Sequence, residues 1–323
     1  MKMDFGNLEK HYELISCDAC ERWAVALQAR HPKNFRYHKT QWKKFPDGTD
    51  NIKIGGFDPE NQLRGSHVIF LASFHSNDAT LSQLYVCIVL LEALIESLTI
   101  VLPFYPVGTM ERVVVEGEVA TANTLARLLS SLPPCGKTTR VMLYDLHTLQ
   151  NRFYLSNHSV ATLHSSVPLL LEELASFTMD DGEKITCIAF PDDGAAKRFS
   201  YMFQGFDIVV CGKKREGETR KVAITDGDPA NKHIVIVDDL VQTGGTLFEC
   251  GKALKAEGAK NVACFVAHGV FPNSSWKKFA RGGERSLFNP FWLTNSIPTG
   301  TDNLPTGDVF RVLDLLPQIV KDL

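Results

Sequence analysis

Two adjacent carboxylates stand at the centre of the sequence, Asp238 and Asp239, directly after the β-branched run Ile234-Val235-Ile236-Val237. Gln242, Thr243, Gly244, Gly245 and Thr246 follow, and then a helical pattern from Leu247 to Leu254. Glycines let backbone amides approach an anion without interference from a Cβ, and a helix start adds unpaired amides and a positive dipole end. The threonines add hydroxyl donors. Such a loop suits a phosphate monoester, and the acid pair suits vicinal hydroxyls of a sugar. The plain alternative is a tight strand-to-helix turn with an aspartate near the helix start. A P-loop is excluded, since no G-x-x-x-x-G-K-[ST] occurs in the chain.

Four further stretches carry polar chemistry. Asp145-Leu146-His147 follows the apolar run Arg140–Tyr144, where a histidine beside a carboxylate could ligate a metal or simply close a strand. Asp192 sits in Phe190-Pro191-Asp192-Asp193-Gly194, a place that also suits a helix N-cap. Lys213 and Arg215 open a charged run that extends to about Asp228, which by itself reads as a solvated loop. Phe45, Asp47 and Thr49 lie in a turn-rich stretch, where the aromatic could be core and Asp47-Gly48 a simple turn.

The elements that must position these residues alternate between strand and helix. Strands are expected at 51–54, 67–73, 98–103, 140–144, 184–190, 207–211, 234–237, 261–266, 291–293 and 309–313. Helices are expected at 81–95, 119–132, 194–203 and 317–323, the first with Leu84, Cys87, Ile88, Leu91 and Ile95 on one face. Residues 1 to about 40 read as a mixed helical lead-in. The segment 104–117 is an irregular excursion, and the alternation pauses at 151–166. This order predicts an α/β fold of two similar halves, each a mainly parallel sheet flanked by helices, divided into 1–160 and 161–323. In an open sheet of this kind, ligands bind outside the carboxyl ends of the strands.

Composition narrows the function classes. The chain has 323 residues, 44% hydrophobic and 22% charged, with a formal net charge of −3. That balance gives no sign of a nucleic-acid or anionic-membrane surface. The start MKMDFGNLEKHYEL has no apolar core of a secretory signal, and no apolar run is long enough to span a bilayer. The eight cysteines are scattered, and Cys17/Cys20 reads as two thiols on one helical turn without a second pair at zinc spacing. A reducing cytoplasm is the expected location.

Taken together, these stretches resemble the ribose-phosphate diphosphokinases (PRPP synthetases), over about residues 40 to 300. The resemblance implies halves of the type I phosphoribosyltransferase kind, the first for ATP and the second for ribose 5-phosphate. It implies transfer of the β,γ-diphosphoryl group of Mg-ATP to the anomeric hydroxyl, giving PRPP and AMP, with Mg2+ as cofactor. Asp238 and Asp239 would hold the ribose hydroxyls and Gln242, Thr243, Gly244, Gly245 and Thr246 the 5-phosphate. His147 and Asp192 would support magnesium, and Phe45, Asp47, Thr49, Thr109, Met110, Arg112 and His147 would line the nucleotide site. Lys213 and Arg215 would close over the diphosphoryl group from a mobile loop, as catalytic cations. A homo-oligomer is implied, with no nucleic-acid or membrane partner.

The chain departs from the common bacterial and animal pattern at Gln242, Thr49 and the excursion Val107–Arg112, where only Arg112 of the usual basic set remains. These forms, with His268-Gly269-Val270-Phe271-Pro272 and Ser274–Phe279, are similar to the plant-type, class II branch. That branch is held to dispense with inorganic phosphate and to accept donors beyond ATP. Two other readings share the acid pair and loop: a base-using phosphoribosyltransferase, and a noncatalytic regulatory subunit of the same family.

Overall fold

The computed structural model describes residues 10–156, 158–216 and 219–323, and leaves the side chains of residues 213–221 outside the description. The chain divides into two compact units, Met1–Ser165 with Leu316–Leu323, and Ser166–Leu315. The last segment, counted with the second half on sequence grounds, clusters with the first unit.

In the first unit the strands are β1 (Tyr12–Ser16), β2 (Phe35–Tyr37), β3 (Gln41–Lys44), β4 (Asp50–Lys53), β5 (His67–Leu71), β6 (Ser97–Val101), β7 (Thr139–Tyr144) and β8 (Ser159–His164). Its helices are α1 (Glu21–Arg30), α2 (Asn77–Glu92) and α3 (Thr121–Ser130). Six strands form a parallel sheet in the order β2-β1-β5-β6-β7-β8, and β3 and β4 form a separate antiparallel hairpin. The first 40 residues, expected as a mixed helical lead-in, hold α1 and also supply two strands of the main sheet. The pause at 151–166 holds β8 and a 3-10 turn, Leu149–Tyr154. On α2, Leu84, Cys87 and Leu91 are buried, while Ile88 is 36% exposed and so off the core face.

The second unit contains α4 (Val167–Ser176), β9 (Cys187–Phe190), α5 (Asp193–Phe199), β10 (Asp207–Glu216), β11 (Thr219–Asp226) and β12 (His233–Val241). After these come α6 (Gly245–Ala256), β13 (Asn261–Gly269), β14 (Phe291–Thr294), α7 (Pro298–Thr301) and β15 (Phe310–Leu313). The sheet order is β11-β10-β9-β12-β13-β14-β15. All neighbours are parallel except β10 and β11, which pair antiparallel. The final helix, α8 (Leu316–Asp322), belongs to the first unit.

β12 is central because its side chains can be buried on both faces. Ile234, Ile236 and Val241 join one core cluster, and Val235 and Val237 join the other. Full burial of each such side chain stabilises the fold by about 1.5–3 kcal/mol. The run of apolar residues thus fixes the strand that carries the acid pair. The charged run after Cys211 also differs from expectation. It is a hairpin of β10 and β11, with Lys213 opposite Val222 and Arg215 opposite Arg220, instead of a loop. A basic edge hairpin suits its place at the end of the sheet order, because charge on an edge strand discourages pairing with other chains.

Candidate active site

At the carboxyl side of the second sheet, β12 carries Asp238 and Asp239 past its apolar segment. Asp238 Oδ1 accepts the Asp239 amide at 2.9 Å. Burial, then the adjoining Asp239 carboxylate and the charge of Asp192, push the Asp238 carboxyl well above the usual range. Asp192 caps α5, its Oδ1 accepting the Ala195 amide at 2.9 Å. The N-cap role and a place among the acids are both met by one residue. Arg198, on the same helix, brings Nη1 to 3.8 Å from Asp239 Oδ2, with both side chains largely buried. Asp238 and Asp239 thus share a partly desolvated region with the Arg198 cation, and the exposed Asp192 carboxylate adds its charge nearby. Oxygen donors in surplus negative charge fit a hard divalent cation such as Mg2+.

The loop after the acids turns into α6 at Gly244. That residue is left-handed, with φ 71° and ψ 22°, and no side chain caps the helix. A Cβ at Gly244 would also lie 2.1 Å from Phe279 Cζ, so glycine is required twice over. A Cβ at Gly245 would meet nothing within 4 Å, so the approach to its amide is open. By helix geometry the amides of Gly245, Thr246 and Leu247 lack carbonyl partners within α6, and they face the end where the dipole is positive. Such an arrangement leaves hydrogen-bond donors open at the helix start.

The loop is braced by residues that sequence reasoning did not place in the site. Ser275 Oγ donates to the Gln242 carbonyl at 2.7 Å. Arg285 Nη1 donates to the Thr243 carbonyl, and its guanidinium lies 5.8 Å from the centre of the Phe248 ring. Phe279 is fully buried beneath Gly244. The stretch Ser274–Phe279 carried a family resemblance, but nothing in its composition signals contact with a loop over thirty positions away. Lys213 and Arg215 are located only as backbone of β10, and their side chains lie outside the described residues.

In the first unit, β7 ends at Tyr144 and the chain turns sharply. Asp145 has φ 41°, and its amide donates to the His164 carbonyl at 3.0 Å. Ser165 Oγ donates to Asp145 Oδ1 at 2.7 Å. The excursion lies beside this turn, since a Cβ at Gly108 would sit 3.6 Å from His147 Cβ. Asn151 Nδ2 donates to the Gly108 carbonyl at 2.9 Å, and Tyr154 OH donates to the Glu111 carbonyl at 3.3 Å. The turn after His147 therefore holds the segment containing Thr109, Met110 and Arg112. Met110 is 49% exposed, and Arg112, exposed as well, pairs with neighbouring Glu111 at 3.0 Å.

Phe45, Asp47 and Thr49 form the connection between β3 and β4. Asp47 Oδ1 accepts the Thr49 amide at 2.9 Å and its hydroxyl at 2.7 Å, which hold the Asp47 carboxyl below its ordinary value. Phe45 is half exposed at the tip. Asp47 and Thr49 satisfy one another there, and the aromatic is left facing out of the hairpin. His268, on β13, instead approaches Ser296 Oγ at 2.8 Å through Nδ1, a buried pairing within the sheet end.

Comparison with known proteins decides the family. The model of the phosphoribosyl transferase domain matches residues 162–286. Ribose-phosphate pyrophosphokinase 4 of Oryza sativa subsp. japonica is 42% identical over 98% of this chain and 96% of its own length. Ribose-phosphate pyrophosphokinase 4 of Arabidopsis thaliana is 41% identical over 98% of the chain and 92% of its own. The chain belongs to the ribose-phosphate pyrophosphokinase family. A Mycoplasma pneumoniae member is 28% identical over 96% of the chain, so the likeness to plant members is much greater, in keeping with the class II forms of the loop and excursion. The crystal structure of phosphoribosylpyrophosphate synthetase from Mycobacterium smegmatis shares the fold, with a TM-score of 0.76 at 21% identity and 97% coverage of both chains. Among the described residues no helix is long and apolar enough to cross a membrane.

Proposed function

We propose that this protein transfers the diphosphoryl group of Mg-ATP to ribose 5-phosphate. The anomeric oxygen forms a bond to the β-phosphorus, and the bond from that phosphorus to the oxygen bridging to the α-phosphorus breaks. AMP leaves with the bridging oxygen, PRPP is formed, and the hydroxyl proton passes to solvent. The observation that carries this reading is the second unit's β12–α6 junction. It has two carboxylates for vicinal hydroxyls, followed by a left-handed Gly244 and a helix start open at Gly245.

Each group has a defined task. Asp238 and Asp239 orient the ribose hydroxyls so that the anomeric oxygen points along the line of attack, and positioning of this kind provides much of the rate. Gln242, Thr243, Gly244, Gly245 and Thr246 grip the 5-phosphate through backbone amides and hydroxyls. In the first unit, His147 and the adjoining 109–112 segment receive the nucleotide, with Phe45, Asp47 and Thr49 contributing from the hairpin. Lys213 and Arg215 neutralise the charge that spreads over the nonbridging oxygens. When bound, Mg2+ would supply positive charge that offsets the charge developing on the phosphoryl group. His147, in the first unit, would hold the magnesium that accompanies ATP, and Asp192, in the second, would support magnesium near the ribose.

The retained acids and basic hairpin favour the synthetic reaction over a silent subunit. The protein acts as a homo-oligomer, and its eight unpaired thiols suit a reducing compartment, taken here as the cytoplasm. Relatives named as chloroplastic and mitochondrial make location a separate experiment. The test of function is phosphorus NMR of a reaction containing ribose 5-phosphate, Mg-ATP and no added phosphate. PRPP and AMP should rise in step. Formation of ADP would refute the reaction type, and absence of any product would favour the regulatory-subunit reading.

A further inference from the structure

The C-terminal helix α8 is built into the support of the Asp145–His147 turn. Tyr144, the last residue of β7, donates its hydroxyl to Asp322 Oδ2 at 2.8 Å. His164, the last residue of β8, places Nδ1 3.4 Å from the same oxygen. The Tyr144 and His164 rings stack with centroids 5.3 Å apart. Gln318 Nε2 donates to Asp322 Oδ1 at 3.1 Å, and Arg140 Nη2 donates to the Asp322 carbonyl at 2.8 Å. Every side-chain oxygen of Asp322 is thus engaged, and both rings that it touches belong to strand ends.

The same two strand ends set the backbone of the turn. Tyr144 is bonded directly to Asp145, and the His164 carbonyl accepts the Asp145 amide at 3.0 Å. Asp145 is left-handed at φ 41°, a conformation that persists only where the surroundings over-determine it. Side chains of Tyr144 and His164 are therefore fixed from one side by Asp322, while their main chains fix Asp145 on the other. His147 lies two residues on.

We propose that Asp322 is a positioning residue: through Tyr144 and His164 it sets the Asp145–His147 turn and with it the affinity for Mg-ATP. The inference rests on the reading that this turn receives the nucleotide. Displacements of an ångström at a binding group are enough for large kinetic effects. The far end of the chain would thereby tune the nucleotide half while leaving the sugar-phosphate loop alone.

The test is steady-state kinetics on the full chain with each substrate varied in turn. Asp322→Ala should raise KM for Mg-ATP about tenfold, the lower range for loss of an outer support to a ligand site. KM for ribose 5-phosphate should stay within about twofold. Tyr144→Phe should give the same pattern, and the double variant should be no worse than either single, because both remove one interaction. Asp322→Asn keeps an acceptor for Tyr144 and should recover most of the loss. An unchanged KM for Mg-ATP in Asp322→Ala overturns the proposal, as does an equal rise in both KM values. A His147→Ala control separates the two levels. If it leaves KM for Mg-ATP unaltered, the nucleotide assignment falls and this inference with it. If it raises that KM while Asp322→Ala does not, only the inference fails.

Discussion

The strand ends of β7 and β12 both present acids, yet they are finished in opposite ways. At β7 the carboxylate of Asp145 is tied to Ser165, its backbone is locked in the left-handed region, and a 3-10 turn follows at once. At β12 the acids lead into a glycine pair and a twelve-residue helix whose first amides are open. The first arrangement spends its polar groups on holding backbone, including the 108–112 segment. The second leaves donors available to an anion. Similar element order in the two units has therefore not produced similar strand ends, and of the two it is the β12 end that runs into an open helix start.

The largest expected effects come from the acid pair. Asp239→Asn should lower kcat/KM for ribose 5-phosphate by about a hundredfold or more, since it removes the charged acceptor proposed for a substrate hydroxyl. Competition assays with ribose 5-phosphate analogues lacking one hydroxyl would sharpen this, because the variant should lose its discrimination between them. Equal activity in variant and parent would dissolve the contrast between the two strand ends.

Next come the adjacent glycines, which separate folding from binding. Gly244→Ala meets a positive φ and Phe279 together and should cost about 2–5 kcal/mol of stability, readable by denaturant unfolding. Gly245→Ala has open space and should fold with little loss, while raising KM for ribose 5-phosphate because the new methyl lies on the approach to the helix amides. Equal stability of the two variants would show that the loop is not built as described.

The smallest effect concerns stability and pH. Burial and the neighbouring carboxylates raise the Asp238 carboxyl in the folded protein, so the folded state holds a proton that the unfolded chain has already released. Stability should therefore fall as pH rises from the ordinary aspartate range through the raised value. Asp238→Asn should remove that slope and raise Tm of the second unit near neutral pH by about 2–4 °C, the effect of ~1 kcal/mol in a unit the size of Ser166–Leu315. Added Mg2+ should stabilise the parent more than the variant. A lower Tm for Asp238→Asn near neutral pH would contradict the crowding of charge at β12.

Much of this organisation was legible in the chain itself. The β-branched run of β12 and the glycine pair announce a buried strand and a tight turn into a helix by composition alone. Three features were not legible, each for a physical reason. Tyr12–Ser16 and Ser159–His164 are short strands with polar residues among the apolar ones, so neither shows the continuous apolar run that marked β12. The Lys/Arg-rich stretch after Cys211 reads as solvated although it pairs as a hairpin, because an edge strand can carry charge that a central one cannot. The contacts of Asp322 with Tyr144 and of Arg285 with Thr243 join positions far apart in sequence, and no local pattern encodes them.

The division of labour between the two strand ends is tested most directly by measuring both KM values in Thr246→Val beside His147→Ala. The account predicts a crossed result: Thr246→Val raises KM for ribose 5-phosphate about tenfold, from loss of a phosphate hydrogen bond, and leaves Mg-ATP unaffected, whereas His147→Ala does the reverse. If both variants weaken the same substrate, or each weakens the other's, the assignment of sugar phosphate to β12 and nucleotide to β7 is wrong.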